Sequence, residues 1–219
     1  MVTKSPATGI PRVFEITIAA CGLAVFAPLI AIAGVLIKIT SPGPILFRQK
    51  RVGRFGKEFT FLKLRTMSLK ENGPLVTAAG DSRVTLIGKF LRKSKIDELP
   101  ELWNVLSGDM SLVGPRPEVP ELVNLTDPQW QQILQSRPGL TDPVTLRLRN
   151  EENLLANVGN KEKFYRDVLQ PYKLRGYCLY LNDRNWKTDI KVLASTLRAI
   201  FFPNTATPPT LEEIDSLAE

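Results

Sequence analysis

Two adjacent acids lie among fixed cations in one stretch, Leu91 to Glu118, which reads LRKSKIDELPELWNVLSGDMSLVGPRPE. Pro100 is tolerated only in a helix's first turn, so the helix bearing Leu102, Trp103 and Leu106 must begin near Glu98. Asp97 then falls at or beside the N-cap and Glu98 in the first turn. Acids there stabilise any helix start, by about 1 kcal/mol for the cap, whatever else they do. The context adds a second use. Arg92, Lys93 and Lys95 lie just upstream, and Arg116 stands between Pro115 and Pro117, which restrict the backbone around its guanidinium. Together these make a phosphate site with two carboxylates able to hold Mg²⁺ or to attack phosphorus.

The composition narrows the chemistry further. The 219 residues contain no histidine, which excludes Ser-His-Asp and Cys-His catalysis and any imidazole base. Two cysteines, Cys21 and Cys178, make neither a metal cluster nor a disulfide framework. There is no glycine-rich loop of Walker or Rossmann type, so a nucleotide would be held by arginines and a metal.

The elements that position these groups begin at a membrane. Ile16 to Ile37 is a run of 22 residues without a charge. As a helix it spans about 33 Å, close to the hydrocarbon thickness of a bilayer. A cleaved signal peptide would turn polar after Ala31-Ile32-Ala33, whereas here Val35-Leu36-Ile37 prolongs the run. Pro28 sits near its middle and removes one helical hydrogen bond. The segment is therefore either a kinked span or a hairpin-like helix that enters and leaves by one face.

Lys38 to Lys70 carries nine basic residues and one acid, +8 in a chain whose net charge is +7. The positive-inside rule holds such a segment in the cytoplasm, where it can dock on anionic lipids. Directly after a membrane segment, lipid is a better partner for these charges than nucleic acid. The chain thus divides into a membrane helix (1–40), a cytoplasmic domain at the membrane surface (41–202) and an acidic, proline-containing tail (203–219) that is mobile or loosely docked.

Within the domain, Ile45–Val52 and Phe59–Thr66 read as a β-hairpin, with Phe59, Phe61, Lys63 and Arg65 on one face. Asp81-Ser82 can cap a helix bearing Val84, Ile87, Phe90 and Leu91. Further helical patterns cover 126–135, 162–172 and 188–202. The last carries an apolar stripe of Ile190, Leu193, Leu197, Ile200 and Phe201, suited to a membrane interface. The fold class is α+β and mainly helical.

Four ordered segments then carry a resemblance: SPGPILFRQKRVGRFGKEFTFLKLRTM, GKFLRKSKIDELPELWNVLSGDMSLVGPRPE, SRPGLT and YLNDRNWKTDIK. The chain resembles the bacterial sugar transferases, small monotopic phosphoglycosyl transferases, from about Arg12 to Phe202. The resemblance implies transfer of a sugar 1-phosphate from a UDP-sugar to polyprenyl phosphate at the inner face of the plasma membrane, in exopolysaccharide synthesis. It puts the nucleophile on Asp97 and an assisting carboxylate, acting through Mg²⁺, on Glu98. It puts substrate contacts on Lys63, Arg92, Arg116 and Asp189, and makes the N-terminal segment a re-entrant helix broken at a Ser-Pro pair.

Two departures stand out. Here the pair is Ala27-Pro28, which keeps the proline and lacks the hydroxyl. After the Arg-Pro-Gly-Leu-Thr motif, Asp142 to Arg149 replaces the Gly-Trp-Ala-Gln-Val-Asn-Gly-Arg of many members. Arg149 aligns with that motif's arginine, with Arg147 a near rival, and the sugar stays open. A membrane-surface homodimer is an admissible assembly. The competing readings are a non-catalytic adaptor that binds anionic lipid, and an enzyme without a covalent step.

Overall fold

The uncharged run forms one helix, and the rest of the chain folds along its side. The computed structural model describes residues 9–69, 76–156, 158–202, 209–210 and 213–214. Helix α1 (Arg12–Thr40) is one element that includes Pro28. Its inward positions are Glu15, Ala19, Ala33, Gly34 and Ile37, a single stripe at helical spacing. Ala19 packs with Phe59, Leu102 and Val113, whereas Ala33 and Ile37 pack with Leu64 and Leu91. Both ends of α1 therefore rest on the same domain, about 33 Å apart along the helix, while residues 24–29 around Pro28 are exposed. Its remaining surface is apolar and exposed, including Val13, Phe14, Val25, Ile32, Val35 and Ile39.

Strands β1 (Leu46–Val52) and β2 (Glu58–Leu64) form the expected hairpin, antiparallel, with Gln49 opposite Phe61 and Phe47 opposite Lys63. The inward face is as alternation requires. Phe59 and Phe61 are buried, Lys63 is half-buried, and Arg65 is buried with its guanidinium on the carbonyls of Ser41 and Pro42. Helix α2 (Leu86–Ser94) starts later than its apolar spacing suggested. Thr85 is the cap, accepting from the Gly88 amide, while Asp81 pairs with Arg83. Gly88 lies so close to β2's end that a Cβ there would stand 2.0 Å from the Thr66 carbonyl oxygen.

Helix α3 (Glu101–Ser107) follows, then β3 (Ser111–Val113), α4 (Pro128–Ile133) and β4 (Gly139–Thr141), which pairs parallel to β3. Helices α5 (Pro143–Arg147), α6 (Glu151–Ala156) and α7 (Lys161–Phe164) lead into a π-helical turn at Tyr165–Leu169 and then α8 (Gln170–Asp183). The last helix, α9 (Trp186–Phe201), opens with a capping box on Asn185. Its buried positions are Asp189, Val192 and Ala199, while Trp186, Ile190, Leu197, Ile200 and Phe201 face outward. The apolar stripe read from the sequence is thus mostly uncovered.

Most of the acidic tail lies outside the described residues. At the part described, it is docked rather than loose: Ile214 is fully buried in the core of α4, α5 and α8, and Glu213 pairs with Arg147.

Candidate functional site

The acidic pair is delivered by a reversal between two helices. Lys95 adopts the left-handed conformation (φ 59°), closes α2, and turns the chain into a one-turn 3₁₀ helix, Ile96–Glu98. That turn, rather than α3 itself, carries Asp97 and Glu98, because Pro100 defers the α-helix to Glu101. Asn104, buried on α3, accepts from the Leu62 amide and donates to the Thr60 carbonyl. This amide stitches α3 to β2 and so brings Lys63 beside the acids.

Lys63 Nζ lies 2.8 Å from Asp97 Oδ2 and 3.5 Å from Glu98 Oε1. Arg116 Nη2 donates to the same Glu98 oxygen at 2.9 Å, and Lys95 Nζ stands 3.9 Å from it. Arg116 also lies 3.9 Å from Glu101 Oε1 and over the Phe61 ring.

The Pro115-Arg116-Pro117 loop is fixed from two sides. Arg51 donates to the Pro117 carbonyl (2.9 Å) and the Val52 amide to the Glu118 carbonyl (2.9 Å). Gly114 and Gly139 meet so closely that a Cβ on Gly139 would stand 2.1 Å from the Gly114 nitrogen. That approach lets the start of the loop hydrogen-bond to β4.

Burial sorts the charges. Asp97 is 1% exposed and Glu101 fully buried, whereas the side chains of Lys63, Glu98 and Arg116 are 19, 17 and 25% exposed. The cations form the site's surface and Asp97 lies beneath them. All four carboxylate oxygens of Asp97 and Glu101 lack a hydrogen bond, since Lys63 is near Asp97 in distance but not aligned to donate.

Burial opposes ionisation of Glu98. The pull of Lys95, Arg116 and Lys63 outweighs it and holds this carboxyl well below the usual range. In the same way burial opposes the charge on Lys63, yet Glu98 and Asp97 raise its pKa, and Glu98 and Glu101 raise that of Arg116 despite desolvation. Glu101 goes the other way: burial first, then Glu98, push it up to about 8. The site is therefore a layered one, with an ionised Glu98 among three cations and a carboxyl kept neutral at pH 7 behind it.

Glu101 and Asn104 were not singled out by the sequence reading. The only available signal for Glu101 was its place three residues after Glu98 on the same helical start.

The other expected site residues lie elsewhere. Arg92 donates to Thr66 (3.0 Å) and Glu152 (2.6 Å). Arg149 donates to the Ala199 carbonyl at the end of α9, and Arg147 forms a two-pronged pair with Glu213, so neither rival arginine is brought to the acidic pair. Asp189, expected to touch substrate, is fully enclosed. Its carboxylate accepts from Tyr180 (2.6 Å), from Arg184 (3.0 Å) and from the Ile10 amide (3.1 Å). With three donors, this buried carboxylate joins α8, α9 and Ile10 just before α1.

Among the described residues, no three acids or thiols converge as a metal cage. Mg²⁺ in phosphoryl chemistry usually takes one or two carboxylates and completes its shell with substrate phosphates and water. Asp97, whose two buried oxygens accept no hydrogen bond and of which one faces Lys63, and the adjacent Glu98 fit that mode.

A cluster of cations over a buried carboxylate, on a domain backed by one helix long and apolar enough to cross a membrane, defines a class of anion-handling proteins. The comparisons give the family. The bacterial sugar transferase profile matches residues 7–203, and the chain belongs to that family.

The chain is 50% identical over 141 residues to a UDP-glucose:undecaprenyl-phosphate glucose-1-phosphate transferase of Caulobacter vibrioides, covering 62% of this chain and 53% of that one. It is 49% identical over 113 residues to a putative undecaprenyl-phosphate N-acetylgalactosaminyl 1-phosphate transferase of Bacillus subtilis, covering 51% and 63%. It is 36% identical over 166 residues to the exopolysaccharide production protein ExoY of Sinorhizobium fredii, covering 67% and 73%. The chain spans about half the length of the Caulobacter relative.

Proposed function

We propose that this protein is a phosphoglycosyl transferase that moves a sugar 1-phosphate from a UDP-sugar to undecaprenyl phosphate, with release of UMP. The observation that carries the reading is the shared ion cluster: Asp97 beneath Lys63, and Glu98 bound to Arg116. The names of the relatives support the substrate class.

A diphosphate arriving at the surface competes with Asp97 and Glu98 for Lys63 and Arg116, and drawing those cations outward uncovers Asp97. An Asp97 oxygen then bonds to the sugar-bearing phosphorus while the bond to UMP breaks, and UMP departs with that electron pair. Arg116 and Lys63 hold the charge that gathers on the phosphoryl oxygens. An oxygen of undecaprenyl phosphate next attacks the same phosphorus, and the Asp97–phosphorus bond breaks to restore the carboxylate. No histidine is needed, since both nucleophiles are anions. When bound through Asp97, Glu98 and the substrate phosphates, Mg²⁺ supplies further charge neutralisation.

The membrane course belongs to the same proposal. A span would carry one end of α1 away from the domain by a bilayer thickness, whereas Glu15 and Ala19 at one end and Ala33 and Ile37 at the other are all buried against it. We read α1 as immersed from one face, with the outward residues of α9 and Leu86 and Phe90 of α2 at the same interface. The exposed Arg48, Lys50 and Lys57 face anionic headgroups on the cytoplasmic side.

The test is UMP release from a panel of UDP-sugars with Mg²⁺ and undecaprenyl phosphate in nanodiscs. It is paired with intact mass measurement for a sugar-phosphate adduct. Asp97→Asn is expected to abolish both. Full turnover by that variant would overturn the assignment, and turnover by the parent without any adduct would favour direct transfer between bound substrates.

A further inference from the structure

The base of α1 does more than enter the membrane. Arg12 donates to the Val105 carbonyl in the last turn of α3 and to the Met110 carbonyl (3.0 Å), and it pairs with Glu15 (3.1 Å). Glu15 is buried, the one acid of a largely apolar helix, and its other oxygen accepts from the Leu112 amide of β3 (3.1 Å). Just before the helix, the Ile10 amide is held by Asp189, whose partner Arg184 donates to the Val113 carbonyl (2.7 Å). Gly9 fits there only because it lacks a side chain, a Cβ standing 2.0 Å from Asp189 Oδ2.

One turn of helix thus grips two different elements. α3 is seven residues long, about 10 Å, with Glu101 at its start and the Asp97-Glu98 turn immediately before it. β3 runs into Arg116, four residues after Leu112. The acids and the arginine that meet at 2.9 Å are carried on separate segments. The far ends of both segments are joined through Arg12 and Glu15.

We infer that the Arg12–Glu15 pair is a positioning device for the reaction, fixing the separation of the acidic pair from Arg116 and linking that separation to how α1 sits in the bilayer. This rests on the reading given under Proposed function. The geometric reason is general: displacement of a reacting group by about 1 Å costs on the order of 100-fold in rate. A joint that sets two such groups therefore acts on kcat more than on substrate affinity.

The experiment uses the full chain in nanodiscs with Glu15→Gln, which keeps an acceptor for Leu112 but loses the ion pair. The expected result is a fall in kcat on the order of 10- to 100-fold with KM for the UDP-sugar changed less than about threefold. In addition, Arg116→Lys should cost at least about fivefold less rate in the Glu15→Gln background than in the parent. Should Glu15→Gln fail to fold, Arg12→Lys breaks the other half of the joint, the contacts to Val105 and Met110, and must show the same non-additivity. Purely additive effects with Arg116→Lys would overturn the inference.

A second readout needs no turnover. The thermal-stability coupling between Glu98→Gln and Arg116→Lys should shrink in the Glu15→Gln background, and an unchanged coupling would also overturn the inference. A parent protein that transfers no sugar phosphate would defeat the proposed function, while this cycle would still judge the joint.

Discussion

Replacing Glu101 with glutamine tests whether a neutral carboxyl lies behind the ion cluster. Burial, reinforced by Glu98, raises this group from an ordinary 4.5 to about 8. A raised acid binds its proton more tightly in the folded state, so the protein loses stability as pH climbs from about 4.5 to 8. Between pH 5.5 and 8.5 that loss amounts to about 3 kcal/mol, at about 1.4 kcal/mol for each pH unit in which the folded state retains the proton and the unfolded chain does not.

Glutamine has nearly the same shape and does not ionise. Glu101→Gln should therefore melt close to the parent at pH 5.5 and about 6 to 12 °C above it at pH 8.5, taking about 2 to 4 °C per kcal/mol for a chain of this size. Tryptophan fluorescence during thermal unfolding in detergent reads this directly. Charges common to both proteins cancel in the comparison, leaving the titration of this one group. An equal difference at the two pH values, or a variant less stable at pH 8.5, would refute the reasoning.

Two further outcomes follow from the same geometry. Asp189→Asn leaves Arg184, a buried cation, without its charge partner, and should cost about 3 kcal/mol in chemical unfolding; a change below about 0.5 kcal/mol would mean that the cluster around Ile10 is not holding the helix base. Replacing Arg48, Lys50 and Lys57 together with glutamine should reduce the preference for anionic over zwitterionic vesicles by at least about tenfold, at up to about 1 kcal/mol for each charge close to the surface. Sedimentation of vesicles measures it, and 0.5 M salt, which shortens screening to a few ångströms, should erase the difference between variant and parent.

The sequence by itself determined what depends on local pattern. Alternation of residue types defined the hairpin, and it put Lys63 on the same inward face as Phe61. An uncharged run of 22 residues specified a long apolar helix, and Pro115 and Pro117 marked Arg116 as a fixed cation. The adjacency of Asp97 and Glu98 pointed to paired acids before any fold was known.

Tertiary structure decided everything that depends on which distant groups meet. Arg92 sits just upstream of the acidic pair yet turns to Glu152, 60 residues away. Asp189 reaches back 179 residues to accept from the Ile10 amide, a contact that no local pattern announces. Pro28 left a kinked span and a hairpin-like helix both open, and only the fold shows that Ala19 and Ala33, on either side of it, are both buried. Glu101 carries the same carboxyl as Glu98 three residues earlier; burial and the charge of Glu98 keep it neutral, whereas Lys95, Arg116 and Lys63 keep its neighbour charged. Propensity and periodicity act over a few residues, whereas ionisation and partnership follow from the dielectric and the charges that folding assembles around each group.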